Sequence, residues 1–392
     1  MTEKTALTGN EAAALAMKHI DPDVVAAYPI TPQTELMHDF AAFVANGEVS
    51  TEFVTVESEH SAMSACVGAA AAGARSMTAT CGPGLALMWE ILYIAASYRL
   101  PIVMATVNRA LSGPINIHCD HSDSMGARDS GWIQLYCEDS QEIYDNMVQA
   151  IRISAHKDVL LPTMVCFDGF TISHTMQVLE VLTKEQVKKF IGEHKPAYTI
   201  LDIKNPITVG SLDLPPYYFE HKRAQVEAMD KAVSVIKNVA EDYSKLSGRK
   251  YDFGEKYLLD DAEIVLVAMG SVCGTAKVAI KNARAKGIRA GLLKLRTFRP
   301  FPDTEIINSL KKAKLVAVQD KAISFGSGGP LFHEICSAAH RHDLNVPVVS
   351  AIYGLGGRDT TIEDLEAYID NLAGQAKSGK VAKQTTYIAL RE

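Results

Sequence analysis

"VVAAYPITPQTE", residues 24–35, runs from small and β-branched apolar residues through a proline-interrupted turn into a helix-forming segment. A continuous apolar run of this kind suits a strand buried on both faces, as in a parallel sheet layered between helices. Pro29 and Pro32 each fix their own φ and push the preceding residue out of the α region, so Tyr28-Pro29-Ile30-Thr31-Pro32 is held extended and rigid at the strand's C-terminal end. In open α/β sheets ligands bind at that edge, and Ile30 and Thr31 stand there.

The same pattern recurs along the chain. "EFVTV", "SMTATC", "IVMATV" and "LPTMVCF" alternate with helix-like stretches such as "SAMSACVGAAAAGA" and "LALMWEILYIAASY". From about residue 176 to 255 the pattern loosens into proline-rich chain and one charged amphipathic helix near "QVEAMDKAVSVIKNVAEDYSKL", a connector that wraps the surface. Near Asp261 a second block begins, with strands expected at "EIVLVAMGS", "RAGLLKL", "KLVAVQD" and "VPVVSAIYGLGG". The expected fold is α/β, with two open, mostly parallel sheets in domains 1–255 and 256–392.

Composition excludes several classes. With 392 residues, 47% hydrophobic and 22% charged, the chain has ordinary globular composition. A net charge of −7 gives no reason to expect nucleic acid or an anionic membrane surface as partner. No apolar run reaches the roughly 18 residues of a membrane span, and "MTEKTALTGNEAAALAM" lacks the layout of a signal peptide, so the expected location is cytoplasmic. The seven cysteines form no C-x-x-C pair, which suits reduced thiols and argues against an iron–sulfur cluster or zinc site held by this chain alone.

Two charges invite a chemical reading. In "VTVESEHSAMSA" a strand ends, Ser58 can cap a helix, and Glu59 falls in the first turn, where the macrodipole favours a carboxylate. Taken alone, Glu59 is an ordinary helix-start glutamate. In "IVMATVNRALSGPIN" an uncharged strand ends at Asn108-Arg109, which brings an arginine to the same sheet edge as Thr31 and Glu59. Beside a pocket, its guanidinium can grip a carboxylate with two charge-assisted hydrogen bonds.

"AAYPITP", "VESEHSAMSACVGAAAAGAR", "NRALS", "CDHSDSM", "RDSGWIQ", "FDGF", "LRTFRPFP" and "YGLGGRD" together resemble the alpha subunit of multi-subunit pyruvate:ferredoxin oxidoreductases, a branch of the 2-oxoacid:acceptor oxidoreductases. The likeness covers nearly the whole chain. It implies a pyrimidine-type thiamine diphosphate-binding fold followed by a transketolase C-terminal-like domain, acting in the CoA-dependent oxidative decarboxylation of pyruvate with electrons passed to ferredoxin. Glu59 matches the carboxylate that hydrogen-bonds the cofactor's pyrimidine, Tyr28 and Pro29 adjoin that ring, and Thr31 and Arg109 match residues that bind the 2-oxo acid. The oxalate-using branch resembles this chain with an arginine at Thr31, so Thr31 speaks for a monoanion; 2-oxobutyrate and 2-oxoisovalerate stay open, as does a non-catalytic structural subunit.

The chain has no Gly-Asp-Gly, the segment through which thiamine enzymes hold Mg²⁺ and the diphosphate. The resemblance therefore implies a beta subunit that holds both, gamma- and delta-type chains with iron–sulfur clusters, ferredoxin as acceptor, and a dimer of the hetero-oligomer. Within "HCDHSD", His118, Cys119, Asp120, His121 and Asp123 have the composition of a metal site but sit too close in sequence to converge on a regular element, so no metal is assigned. "TCGPGLALM" resembles a phosphate cradle, yet Gly82 and Gly84 are expected to shape a tight turn and close packing. "FGSGGP", residues 325–330, is expected to be a turn.

Overall fold

A computed structural model of the chain describes residues 3–381 and 383–391. Among the described residues a first sheet has seven strands, in the spatial order Thr297–Arg299, Ile133–Tyr136, Thr163–Asp168, Val103–Asn108, Ser76–Thr80, Val24–Ala27 and Glu52–Thr55. All neighbours run parallel except the Thr297–Arg299 edge. A second sheet has six: Thr386–Tyr387, Val348–Ile352, Leu315–Asp320, Ile264–Ala268, Ala290–Leu295 and Gly254–Tyr257, of which the last alone is antiparallel. The strands Val103–Asn108 and Thr163–Asp168 are buried at every position, as their unbroken apolar runs require when helices cover both faces.

Every strand expected in the two blocks forms, and the structure adds features that were not legible, the short strands Gly254–Tyr257, Thr297–Arg299 and Thr386–Tyr387 among them. Ile133–Tyr136, in "GWIQLY", joins the first sheet beside Thr163–Asp168; its run is short and is interrupted by Gln134, whose side chain is buried and donates to the Ser124 carbonyl at 2.8 Å. Glu3–Leu7 and Gln177–Val181 pair as a separate antiparallel ribbon. The long helix spans Pro215–Ser247 and so starts ten residues before the amphipathic pattern does, at Gln225. Pro215 and Pro216 are tolerated because the first turn of a helix has no partner for its N–H groups in any case.

The two sheets share a core. One apolar cluster runs from Leu92, Trp132 and Tyr136 of the first block through Phe298 to Leu293 and Val316 of the second. Polar bonds reinforce the junction: Lys294 bonds Glu138 and Glu142, both at 2.6 Å, and the buried Arg296 donates to Asn146 and Gln149. No described helix is long and apolar enough to cross a membrane.

Asp145, fully buried on the helix Ser140–Ser154, anchors the connector. It takes Nε and Nη2 of Arg249 at 2.5 and 2.8 Å together with the hydroxyls of Tyr243 and Tyr251. Removing one partner of a buried ion pair strands the other, so Asp145→Ala should cost about 3–5 kcal/mol. Urea unfolding of the purified chain measures it, and a loss well under 1 kcal/mol would show that water solvates Arg249 in place of the carboxylate.

Candidate functional site

Four adjacent parallel strands deliver the expected residues to one edge. Arg109 follows Val103–Asn108, the Gly82 turn follows Ser76–Thr80, Thr31 follows Val24–Ala27, and Glu59 follows Glu52–Thr55. The chain moves from Val24–Ala27 to Glu52–Thr55 on one side and then returns to Ser76–Thr80 on the other, which makes the gap between Thr31 and Gly82 a topological switch point.

Glu59 opens the helix Glu59–Ala71, and the Ser58 hydroxyl caps that helix by accepting from Ser61 N–H. The residue is 6% exposed, and among the described residues nothing hydrogen-bonds its carboxylate. A carboxylate in a largely enclosed place with no donor from its own chain suits a donor brought by a ligand. The surface it rests on is Gly84: a Cβ there would meet Glu59 Oε1 at 2.7 Å and Thr80 Oγ1 at 2.5 Å. Gly82, with φ of +40°, serves Arg109 in the same way, its added Cβ falling 3.1 Å from Arg109 Cβ and Cγ. "TCGPGLALM" is thus the packing surface for the two site charges.

The proline turn is fastened from four sides. Asn10 donates to the Pro32 carbonyl at 2.9 Å, Gln33 closes the turn onto Ile30 N–H and reaches the Ala79 carbonyl, and Cys81 Sγ lies 3.1 Å from the Thr31 carbonyl. Arg109 supplies the fourth tie, Nη1 to the Thr31 carbonyl at 2.9 Å, while its Nε holds the Asn116 carbonyl at 3.1 Å. Those two bonds fix the plane of the guanidinium and leave its remaining N–H donors for a ligand. Thr31 is exposed, Tyr28 half-buried and Pro29 exposed on the same turn. Among the described residues no hydrogen bond joins Tyr28 to Glu59 or Arg109.

A second cluster lies where the two sheets face each other. Asp168, fully buried at the end of Thr163–Asp168, accepts from Lys321 Nζ at 2.9 Å and Ser271 Oγ, and pairs with His121 Nε2 at 2.7 Å. Burial alone would raise its carboxyl, but Lys321 and His121 outweigh that and hold it well below the usual range. Burial likewise opposes the charge on Lys321, and Asp168 more than restores it. Cys119, His121 and Asp168 place ligand atoms within 4.8 Å of one another, a convergence the adjacency of "HCDHSD" did not suggest. The Lys321 ammonium already neutralises that carboxylate, so the group works as an ion-pair hub. Ser271 and Lys321 follow the neighbouring strands Ile264–Ala268 and Leu315–Asp320, which form the switch point of the second sheet, so the first block fills the crevice where a ligand of the second would sit. Sequence reasoning missed Lys321, since no local motif surrounds it.

The turn "FGSGGP" is also occupied from within. Asp320 accepts from Leu331 N–H and Phe332 N–H at the start of the helix Pro330–Arg341, and a Cβ on Gly329 would fall 2.0 Å from Asp320 Oδ2. The N-terminal charge of that helix is therefore met by the chain's own carboxylate.

Comparison with known proteins shows the family and the fold. Residues 15–241 fit the family model "Pyruvate flavodoxin/ferredoxin oxidoreductase, thiamine diP-bdg", and residues 262–365 fit "Pyruvate:ferredoxin oxidoreductase core domain II". The pyruvate synthase subunit PorA of Thermotoga maritima is 53% identical, over 100% of this chain and 99% of its own length. The ketoisovalerate oxidoreductase subunit VorA of Pyrococcus abyssi is 42% identical over 99% of this chain and 98% of its own. Among solved structures, a 2-oxoglutarate:ferredoxin oxidoreductase from Magnetococcus marinus shares the fold over 94% of this chain, with a TM-score of 0.72 and 21% identity; this chain spans 65% of that longer one. A split-gene transketolase superposes over 94% of this chain with a TM-score of 0.56 and 12% identity. The architecture is a thiamine diphosphate-binding fold followed by a transketolase C-terminal-like unit.

The hub has a definite pH window. Asp168 has its folded-state value depressed, so its contribution holds above the ordinary carboxylate range and fades only in strong acid; Lys321, raised, keeps its contribution until strongly alkaline pH. Lys321→Ala should lower stability by about 3–5 kcal/mol throughout the neutral range, and adding Asp168→Asn should recover part of the loss because the stranded charge is gone. Chemical denaturation of the single and double variants at pH 5, 7 and 9 measures both effects; additive losses would contradict the pairing.

Proposed function

The chain belongs to the pyruvate:ferredoxin oxidoreductase family, and from that premise we propose that it is the alpha subunit of a pyruvate synthase, with Glu59, Thr31 and Arg109 as its share of the active site. The observation that carries the site assignment is the buried, unpartnered Glu59 carboxylate on the same sheet edge as a fastened arginine. It fits the pyrimidine ring of thiamine diphosphate, which brings the missing donor. When bound, the cofactor supplies the carbanion chemistry that decarboxylates a 2-oxo acid.

This chain's own residues bind and orient. Glu59 accepts the proton-bearing pyrimidine nitrogen, and Tyr28 and Pro29 line the ring from the proline turn. Arg109 takes the substrate carboxylate, and Thr31 offers one hydroxyl and no second cation, which suits a monoanion over oxalate. The similarity to a ketoisovalerate oxidoreductase subunit keeps 2-oxoisovalerate as the second reading, because one or a few methylenes change pocket affinity by only about 1–3 kcal/mol each.

The rest of the machinery lies on other chains in this reading: a beta subunit with Mg²⁺ and the diphosphate, gamma- and delta-type chains with iron–sulfur clusters, ferredoxin as acceptor, CoA as co-substrate, and a dimer of the whole in the cytoplasm. Leu111, Ile115 and Ile117 are exposed on the loop whose Asn116 carbonyl holds Arg109, and Leu201, Ile203, Leu212 and Phe219 are exposed on the connector. Apolar surface in those places suits a chain that closes its site against partners. In this reading the domains are 1–255 and 256–392, with the boundary inside the strand Gly254–Tyr257 of the second sheet and Thr297–Arg299 paired with the sheet of the first.

In the assembled complex, Glu59→Gln should slow exchange of the cofactor's C2 proton by on the order of 10². Gly84→Ala, which pushes on the Glu59 carboxylate without touching its charge, should slow it in the same direction; unchanged exchange in both would reduce Glu59 to a helix-start residue. Arg109→Lys loses the two carbonyl ties and should raise KM for pyruvate roughly 10-fold or more, the equivalent of one charge-assisted hydrogen bond. The reading as a whole is tested by kcat/KM for pyruvate, 2-oxoisovalerate and oxalate. A preference for 2-oxoisovalerate moves the chain to the neighbouring branch, and a preference for oxalate overturns the pocket argument.

A further inference from the structure

The strands Ser76–Thr80 and Val103–Asn108 pair as far as Thr80 opposite Thr106, and beyond that register their chains part. The amides of Gly82 and Arg109 lie past the ladder, and one side chain takes both: Asp123 Oδ2 accepts from Gly82 N–H at 2.9 Å and from Arg109 N–H at 3.0 Å. Its other oxygen accepts from Asn108 Nδ2 at 2.8 Å and Ser124 N–H at 2.7 Å. Asp123 is 3% exposed, and among the described residues no lysine, arginine or histidine side chain pairs with it. Burial pushes its carboxyl up to about 6, against the pull of the four donors. A carboxylate kept in the interior with neutral donors alone is expensive, and costs of this kind concentrate at functional sites.

What the carboxylate joins gives it a purpose. Gly82 is the residue against which the Arg109 stem lies, and two residues on is Gly84, against which Glu59 lies. Holding the main chain at Gly82 and at Arg109 on one oxygen therefore sets the arginine's stem on its glycine and the arginine's height relative to Glu59. We propose that Asp123 is a positioning residue for the carboxylate-binding arginine, which clamps the ends of two neighbouring strands so that Arg109 meets the substrate in one pose. This deepens the proposed function and rests on its assignment of Arg109.

The test uses the assembled complex with Asp123→Ala. Alanine leaves no acceptor at that place, so Gly82 N–H and Arg109 N–H lose their shared oxygen together. KM for pyruvate should rise roughly 10-fold while kcat changes far less, as expected when binding geometry is lost and the reacting groups are kept. Independently of turnover, amide hydrogen exchange at Gly82 and Arg109 should accelerate about 10-fold while the strand Thr163–Asp168 keeps its protection. Asp145→Asn, a buried carboxylate with no bond to the site, serves as the control: it should lower stability and leave KM alone. Should Asp123→Ala fail to assemble, Asn108→Ala removes one donor from the intact carboxylate and should give a smaller rise in KM of the same kind. Wild-type KM in the variant complex, or unaltered exchange at both amides, overturns the proposal. Measured alongside, Arg109→Lys separates the two readings: if it raises KM and Asp123→Ala does not, only the clamp fails, whereas an unchanged KM for Arg109→Lys removes the premise and the clamp with it.

Discussion

A carboxylate with no access to water ties the molecule together. Asp168 ends a central strand of the first sheet, and its charge is met by Lys321 and Ser271 from the second. Docking takes both charges out of water, and it is tolerated only where the carboxylate and the ammonium meet, since either one buried without the other is costly. The pair thereby gives the arrangement of the two sheets a register that apolar contact by itself does not specify. The shared cluster around Trp132, Tyr136 and Phe298 adds cohesion, and the polar hub adds orientation.

The hub also reaches the site through the main chain. Gly169 follows Asp168, and a Cβ there would lie 2.5 Å from the Asn108 carbonyl and 2.7 Å from Pro32 Cγ. The proline turn therefore leans on the residue next to the hub, and Asn108 precedes Arg109. A fixed Asp168 gives Pro32 and Asn108 a fixed backing, so the second domain supports the geometry of the edge that carries Thr31 and Arg109. The glycines at 82, 84 and 169 share one role here, which is to let a functional side chain or turn approach the backbone more closely than any side chain would allow.

Site and scaffold also differ in how charge is handled. At the hub and at Asp145 every buried charge has its counterion, and the result is rigidity. At Glu59 the carboxylate has no partner within the described chain, and at Arg109 only part of the donor set is used. A carboxylate without a donor at the sheet edge, set against ion pairs closed within the chain at the hub and at Asp145, separates a place that can bind from a place that holds.

The fold was largely legible in the sequence because unbroken apolar strands, helix caps and prolines act over a few residues. The strands of both blocks, the Ser58 cap and the position of Glu59 follow from such local rules. Thr31, Glu59 and Arg109 could be placed at one edge because strand ends in a parallel sheet share a direction. Local signals do not carry spatial order, and so the adjacency of those four strands, the strand at Ile133–Tyr136 and the loan of Thr297–Arg299 to the first sheet were decided by tertiary packing. The same holds for Asp123, whose amide partners lie 14 and 41 residues away, and for Asp168 and Lys321, which are 153 residues apart. A buried charge is defined by what surrounds it in space, and a sequence states its neighbours only along the chain.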